Sequence, residues 1–111
     1  MYIETTEKLL DFIEKSPTAF QAVDEMQKRL TENGFEVLSE KEYWKLVPGG
    51  KYLVTRNNSA LIAFCIPEKE SRVFHIMASH SDSPSFKIKE NPEMEAAHCI
   101  KLNVEKYGGM I

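Results

Sequence analysis

The sequence predicts an α/β fold in which helices flank part of a mixed sheet. Apolar residues recur at helical spacing between Leu9 and Leu30. After Phe35, short apolar runs alternate with turn-forming residues, which is typical of strands. Hydrophobic residues make up 42% of the 111 residues and charged residues 28%, so the composition is that of a folded protein with one domain or part of one.

Two short amphipathic helices are predicted to open the chain. The first starts at a threonine cap, Thr5 or Thr6. The second starts at Ser16-Pro17, where the serine caps the helix and the proline occupies its first turn. Asn33-Gly34 provides the left-handed conformation that ends the second helix. The apolar positions at helical spacing are Leu9, Leu10 and Ile13 in the first helix and Phe20, Val23, Met26 and Leu30 in the second.

A short strand and a short helix are predicted to follow. Residues 35–38 form the strand. Ser39 and Glu42 match a capping box, in which two side chains satisfy the first backbone donors of a helix, and this helix is predicted to reach Leu46. Pro48-Gly49-Gly50 then ends it.

A two-stranded hairpin is predicted in the middle of the chain. Its strands cover residues 52–56 and 60–66, and Asn57-Asn58-Ser59 forms the turn between them. From Leu61 onwards the second strand is apolar without alternation. We therefore expect it to be buried on both faces, as strands in the interior of an α/β sheet are.

One more buried strand and two half-exposed strands are predicted in the last third of the chain. Residues 73–78 form the second continuous apolar run. Phe86 and Ile88 alternate with lysines, so they indicate a strand with one solvated face. Asn91-Pro92 is predicted to be a turn, and the alternation over residues 100–105 predicts the last strand.

Composition excludes several classes of partner and location. The net charge is −3 without a basic patch, which excludes nucleic acid as an expected partner. No apolar run reaches 18 residues, and the N-terminus lacks the pattern of a secretion signal, so we expect no membrane span and a cytoplasmic location. Cys65 and Cys99 form no Cys-x-x-Cys pair, and we interpret them as small buried apolar side chains in a reducing compartment.

The strongest chemical signal is the pair His80 and Asp82, which directly follows the predicted buried strand. Ligands of open α/β sheets bind outside the carboxyl ends of the strands. Two residues of spacing place both side chains on one side of an extended backbone. Neutral imidazole is a common zinc ligand, and its second ring nitrogen usually donates to a carboxylate that fixes its orientation. The pair therefore predicts a metal site.

Other interpretations of the histidines compete with a metal site. A His-x-Asp pattern also arises by chance, with the aspartate capping a turn and the histidine making an ordinary hydrogen bond. His75 lies five residues before His80 and would face the other side of a regular strand, so we interpret it as a structural residue. His98 precedes Cys99, but adjacent strand residues point apart, which does not favour a cysteine–histidine nucleophile.

Four stretches of the sequence resemble the aspartyl aminopeptidase family, which includes the vacuolar aminopeptidase of yeast. The stretch from Ala78 to Pro84 resembles the family's metal-ligand loop. The helix pair around Ser16-Pro17, the hairpin from Pro48 to Asn57 and the stretch from Val104 to Gly109 are similar to segments of the same family. The likeness covers essentially the whole chain, with the four stretches in the family's order.

This resemblance implies a two-zinc exopeptidase with an α/β catalytic domain. Such an enzyme uses metal-activated water to remove one residue, often acidic, from the free N-terminus of a peptide substrate, and it assembles into a homo-oligomer. By position, His80 matches a zinc ligand and Asp82 matches the carboxylate that orients it. The family's other metal ligands and its general base match no residue of this chain. His and carboxylate ligands suit several divalent ions.

The resemblance also implies that residues 1–111 are the N-terminal segment of an incomplete catalytic domain. The family inserts a second domain close to residues 105–111, and the final Gly108-Gly109-Met110-Ile111 is typical of an interrupted fold. We expect exposed apolar surface, self-association and no activity for this piece by itself. The alternative is a free-standing α/β binding or interaction module without catalysis, which the length alone would allow.

Overall fold

The computed structural model describes residues 2–109, and the predicted α/β class is confirmed. The chain divides between Ser81 and Asp82 into two compact units. The first unit contains both helices and a three-stranded sheet, and the second contains a two-stranded ribbon. Met110 and Ile111, which belong to the predicted start of an inserted domain, lie outside the described residues. No helix within residues 2–109 is long and apolar enough to cross a membrane.

The two predicted helices are present, but their first residues differ from the prediction. Helix α1 spans Tyr2–Lys15, so both threonines lie inside it, and the Thr6 hydroxyl donates back to a carbonyl one turn earlier. Helix α2 spans Ala19–Glu32 and is capped by Thr18, whose hydroxyl accepts from the backbone N–H of Gln21, instead of by Ser16. Pro17 thus precedes the cap, which is one of the positions where its missing N–H costs no hydrogen bond.

The sheet of the first unit is mixed, as predicted. Strand β1 spans Glu36–Leu38, β2 spans Lys51–Arg56 and β3 spans Ala60–Cys65. Strand β2 lies in the middle, parallel to β1 and antiparallel to β3. Asn57 and Asn58 both adopt positive φ in the β2–β3 turn, a conformation that asparagine tolerates well. The predicted helix reaching Leu46 is wrong, because residues after Ser39 form a turn closed by the Glu42 N–H on the Ser39 carbonyl.

The core of the first unit lies where α2 meets the central strand. Its buried apolar residues are Ala22 and Val23 from the helix and Tyr52, Leu53 and Val54 from β2. The Tyr52 hydroxyl accepts from the backbone N–H of Val47. The core is small, since among the described residues it contains only these five buried apolar residues and its sheet has one central strand, β2.

Several segments predicted to be buried are exposed. Strand β3 is an edge strand with Ile62 exposed, so burial on both faces is wrong for this chain. Residues 73–78 form no strand, and Phe74 is 85% exposed. A strand needs a hydrogen-bonded neighbour, and this apolar run is paired with none of the described residues. Cys65 and Cys99 are exposed free thiols, which corrects the buried interpretation. Cys65 is the last residue of an edge strand, and Cys99 opens a strand of the two-stranded ribbon.

The second unit is a long antiparallel ribbon. Strand β4 spans Ser85–Ala96 and β5 spans Cys99–Tyr107, with Ala97 and His98 at positive φ in the tight turn. The turn predicted at Asn91-Pro92 is wrong. The two residues instead form an irregularity inside β4, where Asn91 has a φ of 50° and the register shifts.

Leu53→Ala tests the small core of the first unit. Leu53 is 0% exposed, and truncation of a buried leucine removes its burial energy and leaves a cavity, so we expect a loss of about 2–5 kcal/mol in unfolding free energy. Calorimetry of the complete protein measures the effect. The control is Ile3→Ala, at 76% exposure on α1, which should cost much less. Equal losses for the two variants would contradict the assignment of Leu53 to the core.

Candidate functional site

His80 lies in an irregular exposed segment at the end of the first unit. Residues 66–84 form neither helix nor strand, so the predicted position of His80 directly after a buried strand is not found. Ser81 is half-buried and its hydroxyl donates to the backbone carbonyl of Ser59 at 2.7 Å. This hydrogen bond ties the segment that carries His80 to the β2–β3 turn.

Asp82 opens the second unit and is held by Tyr107 at the end of β5. The Tyr107 hydroxyl donates to Oδ2 of Asp82 at 2.9 Å. The hydrogen bond to the carboxylate, followed by the carboxylate's negative charge, raises the pKa of Tyr107, because both disfavour a phenolate at this position. The phenol therefore stays a donor at neutral pH.

The backbone on both sides of this hydrogen bond is closely packed. Ser85 pairs with Tyr107 in the register of the ribbon. Gly108 follows with a φ of 89°, and a Cβ atom there would lie 3.1 Å from the Cα of Pro84. A side chain at this position would be strained by the left-handed conformation and would also crowd Pro84. The glycine thus permits the close approach that brings Tyr107 to Asp82.

The described residues do not assemble a complete metal site. No group of three or more His, Cys, Asp or Glu side chains that could hold a metal ion occurs within residues 2–109. A catalytic zinc ion requires about three protein ligands. His80 fits one of those positions, since imidazole is a preferred zinc ligand and the side chain is exposed on its loop. His75 is exposed in the same irregular segment.

His98 and Cys99 lie at the tight turn between β4 and β5. His98 has a φ of 66° in the β4–β5 turn, and the Cys99 thiol donates to the Ala97 carbonyl at 3.5 Å. A backbone carbonyl cannot act as a general base for this thiol, so its contact with Ala97 does not support a nucleophile here.

Two residues that the sequence pattern did not single out, Ser81 and Tyr107, hold the segment around His80 and Asp82. Ser81 and Tyr107 are both ordinary polar residues by type, and neither forms a recognisable catalytic pattern. The only signal for Tyr107 was its place in the fourth stretch that resembles the family. Its contact with Asp82 joins residues that are 25 positions apart, which no local pattern predicts.

Comparison with known proteins identifies the family. A family model described as aminopeptidase I zinc metalloprotease (M18) matches residues 12–111. A probable M18 family aminopeptidase 2 of Clostridium novyi is 49% identical over 98% of this chain and 26% of its own length. Aspartyl aminopeptidase 1 of Schizosaccharomyces pombe is 42% identical over 92% of this chain and 22% of its own length.

A solved structure supports the same assignment. The S. cerevisiae mApe1 dodecamer matches with a TM-score of 0.75 and 28% identity, over 99% of this chain and 26% of the mApe1 chain. The chain therefore spans about a quarter of the length of these relatives. It belongs to the M18 family of aminopeptidase I zinc metalloproteases.

Proposed function

We propose that the complete protein is a metal-dependent aminopeptidase and that residues 1–111 are the N-terminal segment of its catalytic domain. The observation that carries this proposal is the family match over residues 12–111, which includes the whole His80 segment. Relatives with the same match are named as M18 or aspartyl aminopeptidases. The cytoplasmic location expected from the sequence stays a prediction.

In this proposal, His80 is one zinc ligand and Asp82 is the carboxylate that orients its ring. The two residues are two positions apart in the chain, so they can belong to one site. His80 would bind the metal, and Asp82 would accept a hydrogen bond from the second ring nitrogen of His80. Zinc, when bound, polarises a carbonyl and lowers the pKa of water. The part of this chain in the reaction is to supply the His80 ligand and to fix the orientation of its ring. The remaining ligands of a two-zinc site would come from sequence that follows residue 111.

The proposed substrates are peptides with a free N-terminus, and the proposed preference is for an acidic first residue. The support for this preference is the relative from S. pombe, which is named an aspartyl aminopeptidase. The test is a comparison of kcat/KM for otherwise identical chromogenic substrates that begin with aspartate, glutamate or leucine. Faster release of aspartate and glutamate supports the preference, and faster release of leucine contradicts it.

A chelator tests the metal dependence of the proposed activity. We expect all turnover to be lost when the chelator is added and to return when zinc is restored.

We also propose that the complete protein is a homo-oligomer. The matched mApe1 structure is a dodecamer. Apolar side chains at Ile62, Phe74 and Ile76 are exposed here, and exposed apolar surface of this kind is commonly covered by other protein. The molar mass from light scattering of the complete protein tests the proposal, and a strictly monomeric mass would contradict it.

Asp82→Asn tests the hydrogen bond between Tyr107 and Asp82 at the proposed site. The pKa of Tyr107 is raised by the hydrogen bond to Asp82 and then by the negative charge of that carboxylate. Removing the charge of Asp82 should therefore lower the pKa of Tyr107 towards its ordinary value. Any stability that the pair contributes is present below the ordinary pKa of tyrosine and is lost as pH rises through the raised pKa.

Ultraviolet titration, with Tyr107→Phe subtracted, isolates the Tyr107 signal. Asp24→Asn on the exposed surface of α2 is the matched control and should leave the titration unchanged. An unchanged Tyr107 pKa in Asp82→Asn would contradict the hydrogen bond.

A further inference from the structure

The role proposed for Asp82 leaves open what holds Asp82 itself, and the structure supplies a candidate. The Tyr107 hydroxyl donates to Oδ2 of the carboxylate at 2.9 Å. A carboxylate has two oxygens with several lone pairs, so one donor on Oδ2 is compatible with a second donor on the other oxygen. Hydrogen bonds to an ionised acceptor are stronger than neutral ones.

We propose that Tyr107 is a positioning residue, which fixes the Asp82 carboxylate so that it can orient His80. This inference rests on the proposed function, because it gives Asp82 the task of holding a metal ligand. Tyr107 touches neither substrate nor metal in this scheme, and its effect reaches His80 only through Asp82.

The β4–β5 ribbon places the phenol. Tyr107 is the last residue of β5 and pairs with Ser85, the first residue of β4. Asp82 lies three residues before that pair, and Gly108 allows the chain to pass close to Pro84. The hydroxyl position is thus determined by strand pairing and by a rigid aromatic ring with few rotamers. A carboxylate on an irregular segment gains a fixed orientation from such a partner.

The protonation of the pair suits a positioning role. The contact with Asp82 raises the pKa of Tyr107, so the phenol keeps its proton throughout the neutral range. It can then only donate to Asp82, while an imidazole N–H could donate to the same carboxylate. Both groups then donate to one carboxylate, and the ring nitrogen of His80 that faces this acceptor is the one that carries the proton.

Tyr107→Phe in the complete protein is the test, because it removes the hydroxyl and keeps the ring. Partners that orient metal ligands typically change metal affinity or activity by 10–100-fold, and Tyr107 acts one step further away. We expect zinc to bind roughly 10-fold more weakly in competition with a chromogenic chelator. We also expect kcat to fall while KM stays close to the unmodified value. Tyr43→Phe, at an exposed position, is the matched control and should leave zinc affinity unchanged.

A double-mutant cycle with Asp82→Asn separates positioning from a general structural effect. If Tyr107 acts through Asp82, Tyr107→Phe has no further effect on zinc affinity once Asp82 is asparagine. Equal losses in both backgrounds, or unchanged zinc affinity in Tyr107→Phe, would overturn the inference.

Failure of this inference and failure of the proposed function are distinguishable. Unchanged affinity in Tyr107→Phe with zinc lost in His80→Ala overturns only the positioning role, whereas zinc retained in His80→Ala overturns both.

Discussion

Replacing His80 with alanine in the complete protein is expected to remove bound zinc and to lower kcat/KM by about 1000-fold or more. A catalytic zinc ion is held by about three protein ligands, so the loss of one leaves an incomplete site. The metal stabilises developing charge by several kcal/mol, and each 1.36 kcal/mol corresponds to a tenfold change in rate. Elemental analysis measures the zinc content, and kcat/KM on a peptide substrate measures the activity.

The control for this variant is His75→Ala. His75 is an exposed histidine in the same irregular segment, so the change in residue type is identical and only the position differs. It should keep full zinc content and full activity. Unchanged zinc and activity in His80→Ala, or equal losses in both variants, would contradict the role of His80. Preserved thermal stability of the apo proteins would show that the loss concerns the metal and not folding.

A polypeptide of residues 1–111 is expected to show no zinc-dependent peptidase turnover. The described residues contain no group of three or more side chains able to hold a metal ion. A two-metal site needs still more ligands, with carboxylates that bridge the ions, and a separate base must accept the proton from water. In the roles proposed for them, His80 and Asp82 provide one ligand and one orienting group, which is too few for either task.

The measurement is release of aspartate from a chromogenic substrate by the purified segment with zinc added in excess. The complete protein at the same molar concentration is the positive control. Metal-dependent turnover that co-purifies with the segment and disappears in His80→Ala would contradict the prediction. It would also mean that residues within 1–111 complete the site, for instance between two copies of the segment.

The sequence by itself determined the family, the α/β class and the best candidate ligand. These features depend on local order: helical spacing in α1 and α2, an Asn-Asn turn between β2 and β3, and the short motif around His80. Side chains close in sequence report on such features directly, because one turn or one hairpin contains all of the atoms involved. The mixed sheet was predicted for the same reason, and the register of β1, β2 and β3 confirms it.

Only the tertiary structure decided which apolar runs are buried and what holds Asp82. Residues 73–78 have the composition of an interior strand, yet they are exposed here because strand formation needs a hydrogen-bonded neighbour. Burial on both faces likewise depends on layers that β3 does not have in this chain. The Tyr107–Asp82 contact depends on ribbon pairing and on the positive φ of Gly108. Each of these outcomes is set by atoms distant in sequence, which local pattern does not encode.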